Sequence, residues 1–471
     1  MNNKYEIIIG IEVHVQLKTK TKLFCACPVE FGGQPNTNIC PICSGLPGVL
    51  PTMNQKAVEL AIKAGLALNC QIAQNSIFAR KHYFYPDLPK GYQITQYKEP
   101  LAFSGFLNIN NTKIRIRRLH LEEDSGKSIH SGNESLVDFN RCGIPLIEIV
   151  TEPDFRSPEQ AVQYLQTLRQ IMRYLEVSDC DMEKAHFRCE PNISIRPIGQ
   201  EKFGVRTELK NLNSMHNVKE ALEFEFVRQS KLLDNNQKVI QETLFWDEQT
   251  KTAGPMRGKE ESEDYRYFPE PDLPVLHIDS EKIEEIRETI PLLPWQRKQV
   301  LIEQMKLPEH IVDIITENKD FADYFDKTIQ EINEPRLVAN WLVTEVRAIL
   351  NEKVLSIQQF PITPRRTAEL LKLLKEQKIT NLSAKEIFTE MVISDNSPSE
   401  IAQAKQLFIE EDNELLLTTV KQVIEENPDV VLKYKNGKTT VIGFLIGAVS
   451  KKMMGKVSAA NIKDILVEQL K

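Results

Sequence analysis

The chain predicts an α+β protein: an N-terminal domain on a mixed or antiparallel sheet with helices on one side, then an all-α domain and a small α-helical tail. Three observations carry that expectation. Strand-like alternation is concentrated before about residue 280, whereas beyond Pro291 Leu and Ile recur at spacings of three and four. All eight Cys lie at or before Cys189. Pro291-Leu292-Leu293-Pro294 and Ser394-Asp395-Asn396-Ser397-Pro398 punctuate the helical part. The expected domains are residues 1–293, 294–405 and 406–471.

The elements follow in order. In Ile7 to Leu17 one face carries Ile7, Ile9, Ile11, Val13, Val15 and Leu17, and the other carries Gly10, Glu12, His14 and Gln16. Ile114 to Asp124 reads as a strand ending in His120-Leu121-Glu122-Glu123-Asp124. Ser157-Pro158-Glu159-Gln160 starts a helix with an N-cap, a Pro at the first position and a Gln three residues on. Val162, Leu165, Leu168, Ile171, Met172 and Leu175 then form its apolar stripe. In Phe187 to Arg196, Arg188, Glu190, Asn192, Ser194 and Arg196 share a face, and in Val205 to Asn211 so do Arg206, Glu208 and Lys210.

Composition bounds the function. At 471 residues the chain holds about three domains of ~150 residues. With 41% hydrophobic and 27% charged residues it is neither disordered nor fibrous. No apolar run approaches the ~20 residues that span a bilayer, and the start resembles neither a secretory signal nor a transit peptide. The expectation is a cytoplasmic protein without a membrane partner. The net charge of -7 excludes a generally basic coat. Val431 to Lys471, however, holds eight Lys against Asp464 and Glu468, a local +6 that suits one polyanion contact or simply a solvated helical surface.

The polar strand faces carry the chemistry. Same-face neighbours lie about 7 Å apart, so adjacent strands gather several groups. Carboxylates with one imidazole suit Mg²⁺ or Mn²⁺, and interleaved Arg and Lys neutralise phosphate oxygens. A solvated antiparallel sheet also shows a polar face, so alternation leaves both readings open. Gly126-Lys127-Ser128 mimics the end of a Walker loop, but Leu121 stands where its first Gly is needed. Cys25-x-Cys27, twelve residues, then Cys40-x₂-Cys43 predicts a structural tetrahedral Zn²⁺ knuckle. Cys70, Cys142, Cys180 and Cys189 lack such spacing and read as core thiols. Arg80 to Tyr92 mixes bases with aromatics, which serves either nucleotide stacking or closure of a core edge; Asp264 to Pro274 reads as an extended element.

Several motifs resemble one family. They are Ile9-Gly10-Ile11-Glu12-Val13-His14-Val15-Gln16-Leu17, Gly45-Leu46-Pro47-Gly48-Val49-Leu50-Pro51 and Leu119 to Lys127. Asn140 to Glu148, Glu208 to Ser214 and Asp264 to Asp272 continue the likeness, and Asn427 to Lys456 completes it. Together they resemble the B subunit of the aspartyl/glutamyl-tRNA(Asn/Gln) amidotransferases across essentially the whole chain. The resemblance implies a cradle fold like glutamine synthetase and the guanidino kinases. It implies ATP- and Mg²⁺-dependent phosphorylation of the side-chain carboxylate of Glu-tRNA(Gln) or Asp-tRNA(Asn), followed by displacement of phosphate by ammonia. Carried over by position, Glu12, His14 and Glu123 are catalytic. The magnesium set is Glu12, His14, Glu122, Glu123, Glu190 and Glu208, with Glu190 where many members carry Asp. Strand parity allows only one of Glu122 and Glu123 to reach the metal, and parity does not say which.

Arg188, Arg206 and Lys210 contact ATP or phosphate on the same likeness, and Lys81 and Lys90 stand near the ammonia channel. Lys433, Lys435, Lys438, Lys451, Lys452 and Lys456 face tRNA. The chain shows no Ser-Ser-Lys amidase cluster and no glutaminase Cys setting. The likeness therefore implies two partners: a glutaminase subunit of the amidase family and a small third subunit. Two other functions fit parts of the sequence: a free-standing ATP-dependent amide ligase on a small carboxylate, and a non-catalytic zinc- and RNA-binding protein.

Overall fold

The computed structural model describes residues 4–132, 134–255, 265–409, 413–435, 438–453 and 457–470. It divides into two compact units, Met1–Leu293 and Pro294–Lys471. The first begins with β1 (Tyr5–Gln16), α1 (Gln55–Ala67), β2 (Gln71–Ile72), β3 (Asn75–Ser76), β4 (Phe78–His82) and β5 (Tyr92–Gln96). It continues with β6 (Ala102–Ile109), β7 (Thr112–Glu123), β8 (Lys127–Ser131), β9 (Glu134–Asp138), β10 (Pro145–Thr151) and α2 (Pro158–Tyr174). Next come β11 (Phe187–Pro197), β12 (Thr207–Lys210), α3 (Met215–Asp234), β13 (Glu242–Asp247) and β14 (Thr252–Pro255). β15 (Phe268–Pro269), β16 (Leu276–His277) and α4 (Ser280–Glu288) close the unit.

Nine strands form one sheet in the order β14-β13-β12-β11-β1-β10-β7-β6-β2. All its pairings are antiparallel except β12 with β13, so the expected mixed sheet is present. Ile7, Ile9, Ile11, Val13 and Val15 of β1 are buried, and they share a core with α1, α2 and α3. Those three helices cover one face of the sheet and leave the polar face of β1 to a cleft. α2 starts where the sequence places it: Ser157 Oγ accepts from Gln160 N at 3.1 Å, behind Pro158. The return bond differs from a capping box, because Gln160 Oε1 accepts from Arg156 N, one residue before the cap.

The second unit is helical. Helices from α5 (Pro294–Glu303) to α12 (Pro398–Ala404) enclose a core that includes Val312, Ile315, Phe325, Leu342, Leu371 and Ile387. A π-turn at Leu342–Val346 interrupts one of them. Four helices, α13 (Asn413–Glu426), α14 (Pro428–Lys435), α15 (Ile442–Lys452) and α16 (Ala459–Leu470), surround a separate core around Val420, Val423, Leu445 and Leu466. Among the described residues no helix is long and apolar enough to cross a membrane.

Candidate active site

Sheet register assembles the site. His14 in β1 stands opposite Glu148 in β10 and Arg188 in β11, and Glu148 stands opposite His120 in β7. One step along, Glu12 faces Glu190, and Leu146 faces Glu122. Asn192 pairs with Glu208, which brings in β12. Directly opposed residues share a face, so these rows project into one cleft of about 550 Å³. His14 Nε2 lies 3.3 Å from Glu122 Oε1 and 3.5 Å from Glu148 Oε2. His120 Nε2 lies 3.3 Å from the same Glu148 oxygen.

Basic groups interleave with the acids. Lys210 Nζ is 3.3 Å from Glu190 and 3.8 Å from Glu208, whose other oxygen accepts from Thr243 Oγ1 at 2.7 Å. Arg188 Nη2 donates to Asp124 Oδ1 at 3.1 Å. Arg206 lines the cleft and is exposed. Burial and repulsion from Glu148 and Glu190 push Glu12 up to about 7. Burial works against the charge on His14, yet its hydrogen bonds to Glu122 and Glu148 hold its pKa well above the ordinary value. Burial likewise raises Glu148, but His120 and His14 outweigh it and hold this carboxyl well below its usual range.

Two carboxylate oxygens and one imidazole nitrogen, from Glu122, Glu148 and His14, lie within 4.8 Å of one another. Oxygen donors with one nitrogen fit a hard divalent cation such as Mg²⁺. The Nδ1 atoms of His14 and His120 are buried and lack a hydrogen-bond partner among the described residues.

Parity divides Glu122 from Glu123. Glu122 and Asp124 enter the cleft, while Glu123 turns to the other side of β7. There its Oε1 accepts from Ile94 N at 2.9 Å and from Lys90 Nζ. The structure therefore separates Glu123 from His14, and of the two candidate carboxylates Glu122 is the one at the cluster. Lys90 goes with Glu123 into a smaller cavity of about 220 Å³ that also touches Cys25 and Cys43. Lys81 stays in the main cleft.

The four cysteines Cys25, Cys27, Cys40 and Cys43 converge, their sulfurs within 4.8 Å of one another. That is a donor set for tetrahedral Zn²⁺. Gly45, with φ +70°, closes the second turn where a Cβ would sit 2.6 Å from Lys90 Cγ.

The two aromatic-basic stretches meet, because β15 pairs with β4. Glu270 accepts two hydrogen bonds from Arg80, each 2.8 Å. Tyr97 and Tyr267 stack with centroids 4.1 Å apart, and Lys81 Nζ lies 4.8 Å from the Tyr265 ring. Asp264 lies outside the described residues. In the second unit Lys433, Lys435, Lys438 and Lys451 are exposed, and exposed Lys452 pairs with Glu426 at 2.6 Å. Lys456 lies outside the described residues.

Sequence reasoning missed Glu148 and His120. β10 is buried on both faces, so it shows no alternation from which Glu148 stands out. The signal available was a lone acid in the apolar run Pro145-Leu146-Ile147-Glu148-Ile149-Val150.

A family model described as the GatB/GatE catalytic domain matches residues 7–284, and one described as a GatB domain matches 323–470. The aspartyl/glutamyl-tRNA(Asn/Gln) amidotransferase B subunit of Thermodesulfovibrio yellowstonii is 46% identical over 473 residues, 99% of this chain and 100% of its own length. The B subunit of Persephonella marina is 47% identical over 473 residues, with the same two shares. That of Caldicellulosiruptor bescii is 48% identical over 476 residues, 99% of each chain. Matched end to end by such relatives and over most of its length by the two family models, the chain belongs to the family of aspartyl/glutamyl-tRNA(Asn/Gln) amidotransferase B subunits.

Proposed function

We propose that this chain is the kinase and transamidase subunit of a cytoplasmic, three-subunit, tRNA-dependent amidotransferase. It takes Glu-tRNA(Gln), Asp-tRNA(Asn) or both, with ATP, and yields the amidated aminoacyl-tRNA. The observation that carries this reading is the gathering of Glu122, Glu148 and His14 beside Arg188 and Lys210 on one open sheet face. A free carboxylate resists attack by ammonia, because it is charged and has no leaving group. Transfer of the γ-phosphoryl group of ATP to that carboxylate supplies one; ammonia then attacks the acyl carbon and inorganic phosphate leaves.

Mg²⁺, when bound, neutralises phosphate charge and aligns the phosphates for in-line transfer. His14, Glu122 and Glu148 are the residues to hold it, with Glu12, Glu190 and Glu208 bordering a second position. Arg188, Arg206 and Lys210 bind phosphate oxygens. Asp124 orients the Arg188 guanidinium through their 3.1 Å hydrogen bond. Glu123 does not join the magnesium set; paired with Lys90 behind β7, it belongs to the side on which ammonia arrives, with Lys81 at the cleft end of that route.

Glutamine hydrolysis falls to a separate glutaminase subunit of the amidase family, and a small third subunit completes the assembly. Residues 1–293 make the catalytic cradle, of the glutamine synthetase and guanidino kinase type. Residues 294–405 form the helical domain and 406–471 the tail, whose exposed lysines meet tRNA phosphates without reading bases. The cysteine knuckle holds structural Zn²⁺.

The test is transfer of ³²P from γ-labelled ATP in the reconstituted three-subunit complex, with glutamine withheld. Acid-labile label on Glu-tRNA(Gln) or Asp-tRNA(Asn), lost with Glu12→Ala, is the expected result. No label on either charged tRNA, from a complex that still hydrolyses glutamine, overturns the reading.

A further inference from the structure

Lys22 stands out among the described residues as the one lysine with no solvent exposure. It belongs to the first cysteine turn, where its backbone N–H donates to Cys27 O at 2.9 Å. Its side chain crosses to the second turn. There Nζ lies 3.5 Å from Cys43 Sγ and donates to Phe139 O at 3.3 Å. Gly143 packs beside the aliphatic stem, where a Cβ would lie in ordinary contact, 3.5 Å from Lys22 Cδ and 3.6 Å from Cys43 Cβ. The ammonium is therefore buried between a sulfur and a carbonyl oxygen.

An ammonium taken out of water requires a negative partner, and one carbonyl oxygen does not provide it. The Glu123 carboxylate opens on the same cavity but is paired with Lys90, and neutral thiols do not provide the partner either. Four thiolates around one Zn²⁺ carry a net charge of −2, which is itself unfavourable in a buried turn. The two problems cancel when the ammonium faces the thiolates. N–H donors to metal-bound ligands also withdraw charge from sulfur and fix its orientation.

We propose that Lys22 is the internal counter-charge of the tetrathiolate centre, donating an N–H···S hydrogen bond to the Cys43 thiolate and setting how firmly the metal is held. The proposal rests on the zinc reading of the four cysteines. Lys22 is a positioning residue in this role: it touches a ligand, not the metal.

The test uses the full-length chain and two substitutions. Lys22→Met keeps the stem and removes the charge, whereas Lys22→Arg keeps a cationic donor. Zinc content is measured by mass spectrometry, zinc release by a colorimetric chelator, and the sulfur-to-metal charge-transfer band after Co²⁺ replacement. The Met variant is expected to release zinc about 10-fold faster or more. Its Co²⁺ charge-transfer band moves to lower energy, because the sulfur has lost its donor. The Arg variant stays closer to the parent on both measures. Equal release rates and identical Co²⁺ spectra in parent and Met variant overturn the proposal while leaving the zinc reading intact. A parent chain that holds no zinc overturns both. Should the Met variant fail to fold, Lys22→Gln replaces it, with the same outcomes deciding.

Discussion

Glu12 sits where burial and two other acids oppose its ionisation, and its carboxyl is pushed up to about 7 from an ordinary 4.5. In the cation-free protein that shift has a definite sign. The folded state keeps a proton that the unfolded chain gives up, so the stabilisation is complete below about pH 4.5 and is lost as pH rises through about 7. A cation needs the ionised form. Adding Mg²⁺ is therefore expected to raise the melting temperature more at pH 8 than at pH 6; equal shifts would show that Glu12 does not titrate in this window. Glu148 offers a sharper test, since it lies 3.5 Å from His14 and 3.3 Å from His120. Glu148→Gln is expected to weaken magnesium binding by at least about 10-fold and to abolish ³²P transfer, while glutamine hydrolysis by the complex continues. At this scale the sequence made Glu12, His14, Glu190, Glu208, Arg188 and Lys210 visible, because each stands on the polar side of an alternating strand. It left Glu122 against Glu123 open. Alternation says that they differ, and only pairing with Leu146 across to β10 says which one enters the cleft.

The strand β12 is four residues long and pairs with β11 at only two registered positions, Asn192↔Glu208 and Ile193↔Thr207. On its other edge it pairs with β13 along all four residues, and it carries Glu208 and Lys210 into the cleft. A buried polar cluster on α3 adds support from behind. Glu225, fully buried, accepts from Thr207 Oγ1 at 2.8 Å, Gln229 Nε2 at 2.7 Å and Arg228 at 2.7 Å. Arg228 reaches on to Glu242 of β13 at 3.0 Å. Removing one partner of such a cluster strands the others. Glu225→Ala is expected to lower the unfolding free energy by about 3 kcal/mol, measured by urea titration, with Glu225→Gln losing less. None of this was legible from sequence. Helical spacing marked α2, whose apolar stripe is unbroken, but α3 carries Glu225, Gln229 and Ser230 on its buried side. Val218, Ala221, Leu222 and Phe226 mark its apolar side, but the buried polar groups interrupt that stripe and carry no periodic signal of their own.

The two units have separate cores: residues from Ile7 to Leu293 make one, and those from Leu301 onward make two more. Such cores allow parts to be removed one at a time. Deleting residues 413–471, which hold the whole third core, from the complex is expected to raise the KM for charged tRNA several-fold while leaving that for ATP near the parent value. An unchanged tRNA KM would mean that the exposed lysines serve solubility alone. The break at Leu293 and Pro294 was legible because the sequence changes period and punctuation together there. The convergence of Arg80–Tyr92 with Tyr265–Pro274 was not, since about two hundred residues separate stretches that pair only in space.

Strand β7 does more than present two carboxylates. Glu122 opens on the large cleft and Glu123 on the small cavity, with a single peptide link between them. The partition between the two chambers is thus no thicker than a strand. A one-residue slip of this strand would exchange the two carboxylates and disable both compartments at once.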